Sequence, residues 1–383
     1  MRHKFIYLAA IGLLFAASTY GQQQVASVIH TLHQIDSKVL GEQRTILVRV
    51  PDDYSRRPDL KYPVIYMLDA HPPHNAMMVG LVEQQVWGGV MPDMIIVGIQ
   101  NIDRGLDLTP TDDHTGPPGG RGPKFLEYIR TEVMPFVEKN YRTQPYRIFA
   151  GHSLGGLFVT YALAEHPEMF DAYIAASPVA GYDDNFVIKD LSRRFKEVKD
   201  WKKTLFVGLG DEPELQKGYD SYKSLLDRTK PSGLEYEFRQ FKDDNHGSVV
   251  LPVYYAGLRK VFAGWVPPAS GTIEELDSHY KKLTARFHYD IYPPEVMYNR
   301  AGYQLLKDGK ATEALEIFRK NAERYPYSAN CYDSLAEAFE KNGQLKQARD
   351  AYEKAWKMAE EHGEARLAAS SKADYDRIVA KIK

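Results

Sequence analysis

Cysteine is almost absent: Cys331 is the only one in 383 residues. One thiol excludes an intramolecular disulfide and any multi-cysteine metal site. On a predicted helix it reads as a small core residue. Excess charge is missing as well. Lys and Arg number 49 against 51 Asp and Glu, a formal charge of −2, so there is no electrostatic case for nucleic acid or an anionic membrane. There is no phosphate-cradling glycine loop and no metal-ligand or zinc spacing. The apolar stretch Phe5–Ala17 is too short to cross a bilayer comfortably. Basic Arg2, His3 and Lys4 precede it, and small residues in Ser18-Thr19-Tyr20-Gly21 follow. That order is a cleavable leader over residues 1–21, with Gln22–Gln24 beginning a polar mature end. With no cysteine near the cut there is no lipid attachment site. The mature protein is expected to be exported, periplasmic or secreted, with no membrane span.

What is present suffices for two to three domains, with 44% apolar residues to build cores. Ser27–Ile35 and Gln43–Val50 read as strands around Gly41. Pro63–Leu68 and Met94–Ile99 are near-continuous apolar runs, as in strands buried on both faces. Met77–Val90 and Lys124–Asn140 read as helices, and Asn101–Pro123 as a long aperiodic loop of the kind that carries function. Further strands are expected at Ala172–Ala176, Thr204–Leu209 and Glu235–Phe241, alternating with helices at Asp184–Lys199, Leu215–Arg228 and Leu251–Trp265. The alternation predicts a doubly wound, mostly parallel α/β sheet over residues 22–268.

Pro267-Pro268-Ala269-Ser270-Gly271 marks a boundary. Beyond it the pattern is helical only, and it repeats every 34 residues. Tyr298 matches Tyr332, Gly302 matches Ala336, Gly309 matches Gly343, Ala314 matches Ala348 and Phe318 matches Tyr352. Two helices joined at a glycine, with small residues at the crossing, form the tetratricopeptide pattern. A small all-α domain over 272–383 is therefore expected, with repeats at 295–328 and 329–362. Helices Thr272–Phe287 and Ala365–Ile382 would cap them.

Chemistry concentrates at Tyr146–Tyr161, YRIFAGHSLGGLFVTY. Strand-forming residues run into Gly151-His152-Ser153-Leu154-Gly155 and then an apolar helix, the context of a nucleophile elbow. A hydroxyl attacks only if the turn lifts it clear of the backbone, and tight turns need glycine neighbours. Serine needs a base, and the base an orienting acid. Of twelve histidines, only His246 stands in a glycine-flanked loop after a strand and before the last helix of this domain. His152, inside the elbow, is expected to point elsewhere, while His71 and His74 border the site. Three residues after Thr204–Leu209 compete for the acid: Asp211, Glu212 and Glu214, with Glu212 preferred and Asp211 next. Asp243 and Asp244 are too near His246 in sequence. An oxyanion needs two preorganised donors, assigned to the backbone N–H groups of Leu154 and His71. The chemistry requires no cofactor and no metal.

Four stretches carry a resemblance: VIYMLDA (64–70), IIVGIQNIDRGLDLTPT (95–111), YRIFAGHSLGGLF (146–158) and FKDDNHGS (241–248). Together they resemble the putative-esterase branch of the α/β-hydrolase superfamily, which contains enterochelin esterases, esterase D and feruloyl esterases. The resemblance spans roughly Val25–Val266, and the tail is similar to tetratricopeptide extensions. It implies Ser153 as nucleophile, His246 as base, an acid at Asp211 or Glu212, and a second oxyanion donor just after Leu68-Asp69-Ala70. That branch usually has glycine where Ala70 stands. It also often has tryptophans after the Ser-Pro that is Ser177-Pro178 here, so a reshaped pocket is expected; little chain separates Ala172–Ala176 from the next helix, so an open cleft without a large lid is expected too. The expected function is an exported serine esterase acting on a small-molecule ester; a siderophore lactone and an acylated glycan both fit. The alternative is a non-catalytic scaffold whose helical repeats recruit a protein partner.

Overall fold

The computed structural model of the chain describes residues 30–114, 117–268 and 272–382. The expected leader at 1–21 lies outside the described residues. Eight strands form one sheet: β1 (Thr31–Ser37), β2 (Glu42–Arg49), β3 (Tyr62–Met67), β4 (Ile95–Ile99), β5 (Thr143–His152), β6 (Ala172–Ala176), β7 (Lys203–Leu209) and β8 (Leu234–Gln240). Their spatial order is β1-β2-β4-β3-β5-β6-β7-β8. β2 runs antiparallel to β1 and β4, and every pair from β4 to β8 is parallel. The central strands β3, β4 and β6 are buried throughout. An uninterrupted apolar run is what a strand covered on both faces requires.

Helices α1 (Pro72–Trp87), α2 (Arg104–Leu108), α3 (Gly122–Tyr128), α4 (Met134–Asn140), α5 (Leu154–Glu165), α6 (Tyr182–Glu197), α7 (Pro213–Thr229) and α8 (Val250–Val261) alternate with these strands. Residue parity sorts the core into two layers. Val64, Tyr66, Phe149, Tyr173 and Leu205 pack with α3 and α5–α7. Ile65, Met67, Ile148, Ala150, Ile174 and Phe206 pack with α1 and α8. The expected helix over 124–140 divides between α3 and α4, because Ile129–Val133 takes π geometry. Pro135 has no N–H to donate back to Thr131, and the wider π turn absorbs the loss.

The aperiodic stretch 101–123 contains α2, which sequence periodicity did not reveal. Five residues are too few to show a period, and α2 depends on its cap: Asp103 accepts from the Leu106 N–H at 3.0 Å. An ion cluster then fixes this segment to the sheet. Asp107 is fully buried and takes Arg44 Nη1 at 2.6 Å and Arg121 Nη2 at 2.6 Å.

After α8 the chain is helical: α9 (Ile273–Phe287), α10 (Glu295–Lys307), α11 (Ala311–Arg324), α12 (Ala329–Lys341), α13 (Leu345–Glu361) and α14 (Ala365–Ile382). Gly309 and Gly343, at φ 76° and 73°, turn α10 into α11 and α12 into α13. The helices after α9 share a separate core of Phe318, Leu335, Phe339, Tyr352 and Ile378. α9 does not belong to it. Tyr280, Leu283 and Phe287 enter the sheet's own core, and the Phe287 ring lies 4.9 Å from Tyr146 of β5. By packing, α9 is part of the sheet domain, although the Pro-Pro boundary precedes it. Asp277 of α9 reaches the other way, accepting from Tyr298 Oη at 2.6 Å and pairing with Arg324.

Two outcomes follow from this packing. Phe287→Ala should lower unfolding free energy by about 3–5 kcal/mol in urea titration, as for a buried aromatic and not a surface helix. Asp107→Asn should cost about 1–3 kcal/mol, since Arg44 keeps Glu42 as a partner, while the apolar pair Arg44→Met with Asp107→Leu should recover most of it.

Candidate active site

β5 ends in a turn that few residues tolerate. Ser153 has φ 60° and ψ −118°, a region costing a non-glycine residue about 1–3 kcal/mol. The surroundings hold it there. Its N–H donates to Ala176 O at 2.9 Å, and its carbonyl accepts from Leu157 at 3.0 Å. A Cβ at Gly151 would stand 2.4 Å from Gly155 O, so the residue two before the serine must be glycine. Ser153 itself is only partly buried. The elbow thus raises one hydroxyl at the C-terminal ends of the parallel strands, directly before α5. The Leu154 N–H is the first of that helix, where backbone donors have no intrahelical acceptor and favour negative charge.

The loops after β7 and β8 are joined. Asp211 donates its N–H to Asp244 O at 2.7 Å. Glu212, 2% exposed, accepts from Gly210 N–H at 2.9 Å and from the Ser177 hydroxyl through Oε1. Its Oε2 meets His246 Nδ1. The carboxylate accepts a hydrogen bond from Nδ1–H, which leaves the lone pair of Nε2 free to act as base. The His246 side chain is 43% exposed and opens to solvent. Asn245 Oδ1 accepts from the N–H groups of Gly247 and Ser248, at 3.0 and 3.1 Å, which stiffens the loop. Of the three acids that competed in sequence, Glu212 faces His246, while Asp211 and Glu214 are exposed.

Two expectations need correction. His152 does not point away. Its ring centroid lies 4.5 Å from that of His246, and burial, with His246 second, lowers its pKa to about 4. Strand parity was the missed signal: Ile148, Ala150 and His152 share the face covered by α8, and the His246 loop leads into α8. The second correction concerns His71. Its N–H is donated to Asp69 O at 2.8 Å, and its Nδ1 lies 2.5 Å from the same oxygen. It is not a free donor as the loop stands. Its ring also packs on His74, centroids 4.3 Å apart.

A charged clamp that sequence reasoning did not find joins these loops. Asp69, at φ 55°, accepts from Asn101 Nδ2 and from Arg104 Nε, each at 2.7 Å. Arg104 Nη2 also donates to the His152 carbonyl at 2.8 Å. A Cβ at Gly155 would come within 3.0 Å of Asp69 Oδ2, so the clamp lies against the start of α5. Cavities of about 380 Å³ beside Trp87 and about 520 Å³ beside Trp265 include neither Ser153 nor His246. Size therefore does not mark the site; the convergence of polar groups does.

Residues 37–208 match the model of the putative esterase family. Ferri-bacillibactin esterase BesA of Bacillus subtilis is 29% identical over 243 residues, which are 55% of this chain and 82% of that protein. The IroE-like serine hydrolase of Shewanella oneidensis superposes with a TM-score of 0.68 at 24% identity, covering 77% of this chain and 99% of its own. An uncharacterised protein of Capnocytophaga ochracea covers 92% of this chain and 99% of its own, with a TM-score of 0.62 at 20% identity. These likenesses support an esterase. The sheet domain has the fold of these hydrolases, and the Capnocytophaga chain shows that fold extending through most of the helical tail.

His152 also carries a pH dependence. Unfolded, it titrates near 6.5; folded, near 4. Between those values the unfolded chain binds the extra proton, so stability is full above pH 6.5 and falls as pH drops toward 4. Comparing wild type with His152→Gln by urea unfolding from pH 7 to 4 should show the wild type losing up to about 3 kcal/mol more.

Proposed function

We propose that this chain is an exported serine carboxylic-ester hydrolase that works through an acyl-enzyme, and that its substrate is a siderophore-type polyester. The observation that carries the reading is Glu212: a buried carboxylate, fixed by Gly210 and Ser177, holding Nδ1 of an open histidine. A structural ion pair would not need its histidine half in solvent. Ser153 Oγ attacks the ester carbonyl as His246 Nε2 takes its proton, and Glu212 stabilises the imidazolium. The tetrahedral oxyanion is met by the Leu154 N–H, with the dipole of α5 behind it. Collapse breaks the C–O bond; His246 returns its proton to the departing alcohol. Water, deprotonated by His246, then attacks the acyl-enzyme and releases the acid, regenerating the Ser153 hydroxyl.

The substrate class rests on the ferri-bacillibactin esterase relative. The partly buried Ser153 and the half-exposed His246 side chain leave the site open to an approaching ester. The leader at 1–21 supports export. The helices over 295–328 and 329–362 act as a tetratricopeptide-like module for a protein partner.

Ser153→Ala should abolish hydrolysis of a short nitrophenyl ester and labelling by a fluorophosphonate. Glu212→Gln should lower kcat by up to about 10⁴-fold through the wrong imidazole tautomer, whereas Asp211→Asn should stay within about twofold. Undiminished turnover in Ser153→Ala would sink the proposal. Hydrolysis of a ferric siderophore trilactone, against an acetylated or feruloylated oligosaccharide, decides the substrate class.

A further inference from the structure

We propose that His152 is a positioning residue: it fastens the loop bearing His246 to the turn bearing Ser153, and so sets the distance between base and nucleophile. The inference rests on the acyl-enzyme reading of the site but concerns a side chain which that mechanism leaves unused.

The two loops reach the site from distant parts of the chain, the elbow from β5 and the base loop from the end of β8. Among the described residues, the His152 ring gives them a direct side-chain contact. Its ring lies 4.5 Å from the His246 ring at a tilt of 42°. Nε2 is buried and has no hydrogen-bond partner among the described residues. The ring therefore holds the base loop by packing against His246, not by a hydrogen bond through that nitrogen. The backbone of His152 is held independently. Its carbonyl accepts from Arg104 Nη2 at 2.8 Å, and it pairs with Ala176 in the β5–β6 ladder. The residue is anchored to the sheet at one end and to the base loop at the other. A shift of about 1 Å between catalytic groups can cost on the order of 100-fold in rate.

The charged and titratable groups around the ring are His246, Arg104 and Asp69, with Glu212 behind His246. In that company the ring must stay neutral. During turnover His246 becomes an imidazolium, and a second cation 4.5 Å away would oppose it. Burial and Arg104 both disfavour a charge on His152, so proton uptake is directed to His246.

The test uses the full-length chain with His152→Phe, which retains a ring, and His152→Ala, which removes it. Expected is kcat within about threefold for the Phe variant and about 10–100-fold lower for the Ala variant, with KM within about twofold in both. Ring-nitrogen NMR, read without substrate, should show His152 neutral down to about pH 5, and His152→Ala should move the His246 Nδ1–H signal. A folded His152→Ala with wild-type kcat, pH profile and His246 signal overturns the proposal. So does a His152 that titrates near 6.5, a result obtained on wild type even if a variant fails to fold. Failure of the wild type to label at Ser153 overturns the acyl-enzyme reading instead, and the NMR arms still decide whether His152 holds His246.

Discussion

One ion pair joins the ends of three neighbouring strands. Asp69 follows β3 in a left-handed conformation, Arg104 follows β4, and the carbonyl that Arg104 also grips belongs to the last residue of β5. Loops at a sheet end are normally the softest part of an α/β fold. Here a carboxylate 7% exposed ties two of them, and the guanidinium fork extends the tie to the third. The fork matters because a lysine offers a point charge and could not fix carboxylate and carbonyl in one plane. With those ends pinned, the strained Ser153 conformation has nowhere to relax, and α5 starts in a fixed direction.

Much of this architecture was legible in the residues. Strands buried on both faces announce themselves as unbroken apolar runs, and PVIYML and MIIVGI became β3 and β4 within a residue or two. The elbow was legible because its geometry demands glycine at fixed offsets. Partnerships between distant residues were not. Asp69 with Arg104 and Arg44 with Asp107 join positions tens of residues apart, and only the strand order makes them neighbours. The short helix α2 escaped because its evidence is a single cap, not a period.

The acid illustrates the limit more finely. Asp211 and Glu212 are adjacent, equally acidic and equally plausible in spacing, yet the chain direction at one loop sends them to opposite environments. Pro213 opens α7, Gly210 lets Asp244 approach where a Cβ would stand 2.5 Å from its carbonyl oxygen, and Glu212 is turned inward between them. His152 was a different kind of miss: strand character alone identified β5, and following its side-to-side alternation from Ile148 and Ala150 to His152 would have placed the ring on the face that α8 covers.

The helical tail meets the sheet domain at the starts of the parallel strands. The cavity at this seam is lined by Tyr62, Pro63 and Gln144 on the sheet side and by Arg324 and Tyr325 on the tail side. Ser153 stands at the opposite pole, where the same strands finish. Such a molecule can be moored by one end and remain fully open at the other. A contact made at the tail would fall on a face remote from Ser153 and leave the approach to that hydroxyl clear.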